Sequence, residues 1–216
     1  MLIPFDKLYE KYNIGKEGIL HCGANRSQER QAYKELGIQK VVWVEAIPEI
    51  AQSAAELLVP YKNQCIVEAC LGSEDGKEVV FNVANNEGQS SSILPLGTHK
   101  IAHPEVFYTR SFTTSTTRLD TLIDELRLQV NNNWVLVLDL QGSELDALIG
   151  CDKELNKFGA VYLEVNEAHL YEGCALKDEV IAYLNKFGFV PVEEFIYKHW
   201  QWGDMLLINS GMIFIT

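Results

Sequence analysis

Apolar residues occur along the chain in short continuous runs, and these runs alternate with segments in which apolar residues recur every three or four positions. Continuous β-branched runs are typical of strands buried on both faces of a sheet, whereas the three-to-four spacing is typical of helices. The runs predict strands at residues 18–22, 40–46, 64–70, 77–83, 134–140 and 159–165. The spacing predicts helices at residues 6–12, 28–36, 48–58, 120–128, 143–149 and 176–187.

Alternating strands and helices with short connections predict an α/β fold, in which a mostly parallel sheet carries helices on both faces. Two further strands are predicted at residues 189–197 and 204–210, and they can form a hairpin whose last strand is antiparallel. No linker or repeat divides the chain. We therefore expect a single domain over residues 1–216, with an N-terminal helical extension at residues 1–17.

The charge and the cysteines narrow the range of partners and of cellular locations. The net charge is −12, and the lysines and arginines are scattered. Such a surface disfavours binding to nucleic acid or to an anionic membrane. The five cysteines include no C-x-x-C motif, and no stretch has the form of a signal peptide or a membrane span. These observations favour a cytoplasmic protein; they do not indicate an oligomeric state.

Polar and small residues stand where several predicted strands end. In open parallel sheets, ligands bind outside the carboxyl ends of the strands. The sequence therefore predicts one crevice built from these strand ends, namely residues 21–25, Glu45, residues 70–72, Asp139 and Glu164.

The loop after the first strand, within "ILHCGANRSQE", indicates which cofactor this crevice would hold. It has one glycine, Gly23, and so matches neither the G-x-G-x-x-G dinucleotide fingerprint nor a Walker loop. Glu45 follows 22 residues later, at the position where a carboxylate accepts ribose hydroxyls in nucleoside-binding folds. A nucleoside without a pyrophosphate fits both features, and S-adenosylmethionine is such a ligand. An ordinary tight turn before a strand-ending glutamate explains them equally well.

The predicted cofactor residues are those at the ends of the first three strands and of the strand at residues 134–140. They are Gly23, Ala24, Asn25, Glu45, Ala46, Leu71, Gly72 and Asp139.

Asp139, Glu164 and His169 are the candidate catalytic residues. Asp139 could act as a base, hold the methionine amine or bind a divalent cation, and it could instead cap the following helix. His169 is of the residue type that most often acts as a base near neutral pH, although an exposed loop histidine is an equal alternative. Together the three could form a cation site. His99 and His103 are four residues apart, but Pro104 makes a helical zinc pair improbable.

Residues 84–110 form the longest segment without a clear period, and long loops in compact domains are often functional. We expect this loop to contact the substrate or the cofactor. A sugar would suit the polar residues of this loop, which are Asn85, Asn86, Ser90, Ser91 and Ser92, and also the tryptophans between the last two strands, Trp200 and Trp202. The alternatives are a solvated loop and tryptophans that pack in the protein.

Several stretches, taken in order, resemble the FkbM-type S-adenosylmethionine-dependent methyltransferases. They are "LHCGANRSQE", "VVWVEAIPE", "TTRLDTL", "VLDLQGSELDALIG" and "VYLEVNEAHLY". The resemblance implies a Rossmann-like, seven-stranded methyltransferase fold with an antiparallel last strand. It also implies O-methyl transfer to a hydroxyl of a sugar, a glycan or a similar small acceptor.

Two positions depart from the family pattern. The family usually has aspartate at the position of His21 and glycine at the position of Ser27. The loss of an acid beneath a sulfonium ligand would weaken binding unless His21 substitutes as a hydrogen-bonding group. The alternative function is therefore a binding or scaffold protein that kept the methyltransferase fold and lost catalysis.

Overall fold

The computed structural model describes residues 1–212. The helices are α1 (Phe5–Tyr12), α2 (Arg30–Glu35), α3 (Pro48–Leu58), α4 (His99–Ala102), α5 (Leu119–Glu125), α6 (Glu144–Ile149) and α7 (Lys177–Asn185). The strands are β1 (Gly18–Cys22), β2 (Val41–Glu45), β3 (Gln64–Glu68), β4 (Cys70–Leu71), β5 (Glu78–Ala84), β6 (Tyr108–Thr117), β7 (Trp134–Leu138), β8 (Ala160–Asn166), β9 (Phe189–Tyr197) and β10 (Trp202–Asn209).

The central sheet has seven strands in the order β3-β2-β1-β7-β8-β10-β9. The pairs from β3 to β8 are parallel, and β10 runs antiparallel to both β8 and β9. The predicted mostly parallel seven-stranded sheet with an antiparallel last strand is confirmed.

The apolar core lies on both faces of this sheet, because successive residues of a strand point to opposite sides. In β7, Leu136 and Leu138 belong to the cluster that also contains residues of α5, α6 and α7. Val135 and Val137 belong to the other cluster, which contains residues of α1, α2 and α3. This two-sided burial is why β1, β2, β7 and β8 consist of continuous apolar runs.

A second sheet of three strands, in the order β4-β6-β5, was not foreseen. Residues 64–70 were predicted as one strand, but β3 ends at Glu68, and β4 pairs with the threonine-rich β6 instead. The amide of Ala69 still donates to the carbonyl of Glu45. The chain therefore passes from one sheet to the other directly beside the end of β2.

The loop at residues 84–110 is irregular over much of its length, as predicted, but contacts with other segments hold it in place. Asn82 forms a bridge with Ser92, and Leu96 forms a bridge with Tyr171. The amide of Gly97 donates to the carbonyl of Leu170, and a Cβ on Gly97 would lie 2.2 Å from the carbonyl oxygen of His169. Glycine at residue 97 therefore lets the loop pack directly on the segment after β8.

None of the helices in residues 1–212 is both long and apolar enough to cross a membrane.

Candidate active site

A cavity of about 610 Å³ opens at the carboxyl ends of the parallel strands. The residues that follow β1, β2, β7 and β8 border it, and so do β4 and the loop at residues 84–110. This is the crevice that the strand ends predicted, with the loop added as a further wall.

The loop after β1 is a tight turn whose amides are already used. The amides of Gly23 and Ala24 both donate to the carbonyl of Val44, and that of Asn25 donates to the Glu45 carboxylate. Gly23 has a φ of +84°, and a Cβ there would lie 1.8 Å from the carbonyl oxygen of Asp139. Glycine is therefore required for close approach of the loop to β7, and the turn leaves none of these three amides free for a phosphate.

Glu45 presents a buried carboxylate to the cavity. Its Oε2 accepts from the amide of Asn25 and its Oε1 from the amide of Ile47, both at 2.8 Å. Burial raises the pKa of Glu45 above its ordinary value, although these amide bonds favour the charged form. Each carboxylate oxygen can accept a second hydrogen bond, so Glu45 can also bind two hydroxyls of a ligand.

Asp139 and Glu164 are held together by one neutral amide. Nε2 of Gln141 donates to Oδ1 of Asp139 at 2.6 Å and to Oε2 of Glu164 at 3.0 Å. Burial, and then the nearby Asp204, raise the pKa of Asp139 to about 6; burial, and then Asp139, raise that of Glu164 well above its usual range. Within residues 1–212, no lysine or arginine forms an ion pair with either carboxyl.

Two further buried acids lie near this pair. Asp204 stands opposite Glu164 in the β10–β8 pairing, and it accepts from the Tyr162 hydroxyl and from the amide of Leu2. Glu144, in the first turn of α6, accepts from the amides of Leu140 and Gly142. Asp204 borders the cavity, and Glu144 does not. The hydrogen bonds of Glu144 stabilise the turn before α6.

His21, at the position where the family usually has aspartate, is a neutral group. Its ring stacks on Trp43 with centroids 4.5 Å apart, and its Nδ1 lies 3.0 Å from the hydroxyl of Tyr33. Burial lowers the pKa of His21 to about 4, so the ring carries no charge at neutral pH. His21 borders the cavity and can offer a hydrogen bond there, but it cannot replace the charge of an acid.

Most of the predicted site residues border the cavity. They are Gly23, Asn25, Glu45, Ala46, Leu71, Asp139 and Glu164. Ala24 and Gly72 lie outside its lining: Ala24 is buried in the apolar cluster beneath the loop, and Gly72 packs against Thr116.

The structure places His169 away from the cavity, contrary to the expectation that it reaches the crevice. The side chain is exposed, and its Nδ1 lies 3.0 Å from the carbonyl oxygen of Cys174. Asp139, Glu164 and His169 therefore do not come together as a cation site. The described part of the chain contains no group of three or more histidine, cysteine or acidic side chains placed to hold a metal ion.

The polar residues of the loop mainly hold its own shape. Asn86 Nδ2 donates to Ser90 Oγ, and the Ser91 hydroxyl accepts from the amide of Ala84. The Ser92 hydroxyl donates to the carbonyl of Gln141 and so connects the loop to the acid pair. Asn86, Ser90 and Ser91 nevertheless border the cavity, whereas Asn85 and Ser92 do not. Of the two tryptophans, Trp202 borders the cavity and Trp200 does not.

Several residues of the cavity are not predicted by the sequence, among them Gln141, Tyr171 and His99. Gln141 lies within "VLDLQGSELDALIG", only two residues after Asp139, and that proximity was the one available signal. Tyr171 ends the stretch "VYLEVNEAHLY", but nothing in that stretch indicates that its hydroxyl donates to Gln141 Oε1 from a separate loop. His99 was considered only as half of a zinc pair, yet its ring borders the cavity.

The sequence profile of the Methyltransferase FkbM domain matches residues 21–191. The chain belongs to this family. A curated relative is the 2-O-methyltransferase NoeI of Sinorhizobium fredii (strain NBRC 101917 / NGR234), which is 24% identical over 202 residues, or 90% of this chain and 80% of NoeI.

Solved structures of methyltransferases share the fold at low sequence identity. Magnesium protoporphyrin IX methyltransferase (ChlM) from Synechocystis PCC 6803, solved with bound SAM, is 9% identical with a TM-score of 0.51 over 94% of this chain and 74% of its own. A TehB-like SAM-dependent methyltransferase from Corynebacterium glutamicum ATCC 13032 Kitasato is 9% identical with a TM-score of 0.50 over 97% of this chain and 89% of its own. This FkbM-family chain therefore has the Rossmann-like fold of SAM-dependent methyltransferases.

Proposed function

We propose that this FkbM-family protein transfers a methyl group from S-adenosylmethionine to a hydroxyl of a sugar, a glycan or a similar small neutral acceptor. One observation carries the proposal: the cavity that contains Glu45 also contains Asp139 and Glu164, which form no ion pair with a cationic group in the described chain, the nearby Met1 ammonium being paired with Glu29. S-adenosylmethionine brings both a ribose and positive charge.

The cavity residues fit the parts of this cofactor. Glu45 would accept the ribose hydroxyls, and Leu71 and Phe81 would pack on the adenine ring. Asp139 and Glu164 would hold the ammonium group, with Gln141 keeping their carboxylates together. When bound, the cofactor supplies an activated methyl group on a sulfonium. The protein's remaining task is to hold the acceptor hydroxyl in line with that methyl and to take up its proton.

Three observations support a neutral hydroxylated acceptor. The net charge of −12 disfavours phosphorylated polymers. Asn86, Ser90 and Trp202 border the cavity with side chains that suit a sugar. The relative NoeI is named a 2-O-methyltransferase.

Isothermal titration calorimetry tests the cofactor. We expect S-adenosylmethionine and S-adenosylhomocysteine to bind and NAD not to bind. Glu45→Gln should weaken binding by about 1.5–3 kcal/mol, the range for hydrogen bonds to a charged group. Glu56→Gln, an exposed substitution on α3, is the matched control and should leave binding unchanged. Binding of NAD alone would contradict the proposal.

The second candidate function is a scaffold that binds the cofactor without turnover. His21 and Ser27 favour it, because a neutral ring replaces the usual acid and Ser27 Oγ is buried without a hydrogen-bond partner in residues 1–212. Incubation with labelled S-adenosylmethionine and a mixture of neutral glycans separates the two. Tight cofactor binding with no S-adenosylhomocysteine formed would favour the scaffold.

A further inference from the structure

His99 is a buried histidine that the proposed cofactor site does not use. It begins α4, inside the loop at residues 84–110, and its ring borders the cavity with only 6% of the residue exposed. The ring packs on Tyr171, with centroids 5.5 Å apart, and on His103 at 5.1 Å. Tyr171 donates to Gln141, so His99 lies one ring away from the group that holds Asp139 and Glu164.

The ring nitrogens of His99 have no hydrogen-bond partner in the part of the chain that the structure describes. Nδ1 of His99 is buried, and no residue from 1 to 212 forms a hydrogen bond with it. Buried polar atoms in native proteins are nearly always hydrogen-bonded, so an exception calls for an explanation. The second ring nitrogen, Nε2, also forms no hydrogen bond within residues 1–212 and is not buried, so it is the nitrogen that a ligand in the cavity can reach.

We propose that His99 is the general base that accepts the proton of the acceptor hydroxyl during methyl transfer. This rests on the proposed function. In the step, a bond forms between the acceptor oxygen and the methyl carbon while the carbon–sulfur bond breaks and its electron pair stays on sulfur. The hydroxyl proton passes to the His99 imidazole, which becomes an imidazolium and later returns the proton to solvent.

The surroundings of His99 keep the ring in the form that can accept a proton. Burial, and then His103, lower the pKa of His99, so the ring is neutral at pH 7. Glu105 acts in the opposite direction, and its Oε1 lies 3.6 Å from Nδ1 of His103. Tyr171, the titratable neighbour from the segment after β8, stays neutral because burial raises its pKa well above the ordinary value.

Backbone contacts fix the position of the ring. The amide of His99 donates to the carbonyl of Leu170 at 3.2 Å, and the amide of Gly97 donates to the same carbonyl at 2.7 Å. These bonds join α4 to the segment that carries Tyr171. A base must be held within hydrogen-bond reach of the proton that it removes. The hydrogen bonds of Gly97 and His99 to Leu170 hold the start of α4 in place for this purpose.

The test measures transfer of labelled methyl from S-adenosylmethionine to a panel of neutral methyl glycosides. His99→Gln should lower kcat by about 10²- to 10⁴-fold. It should leave the affinity for S-adenosylhomocysteine unchanged and remove the acid limb of the pH–rate profile. His199→Gln, the same substitution at an exposed histidine outside the cavity, should keep full activity and the full profile.

A second variant separates catalysis from folding. His99→Ala leaves room for a free base, so added imidazole should restore transfer if His99 takes the proton, and a purely structural residue would not respond. Full activity of His99→Gln, loss of activity in His169→Gln instead, or failure of imidazole to restore His99→Ala would overturn the assignment. Failure of the wild-type protein to bind S-adenosylhomocysteine, or to methylate any glycoside, would instead overturn the proposed function, and the assignment of His99 with it.

Discussion

The hydroxyl of Tyr171 donates to Oε1 of Gln141, and this contact fixes the direction of the Gln141 amide. With the oxygen held by Tyr171, the amide nitrogen faces Asp139 and Glu164 and donates to both. Gln141 has a φ of +52°, an uncommon value for a residue other than glycine, so the backbone carries strain to place this side chain. Tyr171 and Gln141 thus position the acid pair although neither is charged.

Tyr171→Phe tests this arrangement. The ring and its packing remain, but Gln141 loses the donor that orients its amide, so the two carboxylates are no longer held together. We expect the affinity for S-adenosylmethionine to fall by about 1 kcal/mol, the net value of one neutral hydrogen bond. Isothermal titration calorimetry measures this affinity. Tyr183→Phe, on α7 and away from the cavity, should change nothing; equal affinities for Tyr171→Phe and wild type would argue against the role.

The acid pair should make cofactor binding depend on pH. The pKa of Asp139 is raised to about 6 by burial and by Asp204, and Glu164 and Glu144 lie near it. A cationic ligand binds the ionised form, so the affinity for S-adenosylmethionine should fall as the pH drops from 7 to 5. One linked proton gives at most about a tenfold change per pH unit. S-adenosylhomocysteine carries the same ammonium group, so its affinity should fall with pH in the same way. Asp139→Asn should flatten the profile; an unchanged slope in that variant would contradict the idea.

The same groups should affect the stability of the protein without ligand. The folded protein binds protons more tightly than the unfolded chain at Asp139 and Glu164, because burial raises their pKa values. Their contribution to the free energy of unfolding should therefore fall as the pH rises from 4 to 6, by up to about 1.4 kcal/mol per pH unit for each carboxyl. The lowered pKa values of His21 and His99 act in the opposite direction, so the contribution of the carboxyls is measured as the difference between wild type and Asp139→Asn. Urea denaturation across this range measures the effect. A saturating concentration of S-adenosylmethionine should reverse the trend in that difference, and a difference between wild type and Asp139→Asn that does not change with pH without ligand would refute the explanation.

Ser27 tests the second departure from the family pattern. Its φ of +51° favours glycine, and its buried hydroxyl lacks a hydrogen-bond partner in the described chain. Ser27→Gly should raise the free energy of unfolding by about 1 kcal/mol, because relief of backbone strain outweighs the added freedom of the unfolded chain. Ser27→Ala removes the hydroxyl alone and should give only part of the gain. Urea denaturation at pH 7 distinguishes them, and a less stable Ser27→Gly would show that the serine is favourable.

The strands of the central sheet could be predicted because the hydrophobic pattern that indicates each strand lies within its own residues. Continuous apolar runs mark β1, β2, β7 and β8, since both faces of these strands are buried. The split between β3 and β4 could not be predicted, because residues 64–70 contain no turn residue and the choice of partner is made by β6, more than 40 residues later.

The site was predictable only where residues end strands. Glu45, Asp139 and Glu164 lie at the carboxyl edge of the sheet, and the rule for parallel sheets finds them. Tyr171 and His99 enter the cavity from loops whose paths depend on contacts such as that between Gly97 and Leu170. His169 shows the converse: it follows β8 closely in sequence, yet the turn points it towards Cys174 and solvent.

A crystal structure of the protein with S-adenosylhomocysteine tests the central proposal most directly. We expect the ribose hydroxyls within hydrogen-bond distance of Glu45 and the ammonium group at the carboxylates of Asp139 and Glu164. The space beyond the sulfur should open towards His99. A ligand bound elsewhere, or bound in the cavity with its ribose away from Glu45 and its ammonium group away from Asp139, would contradict the account.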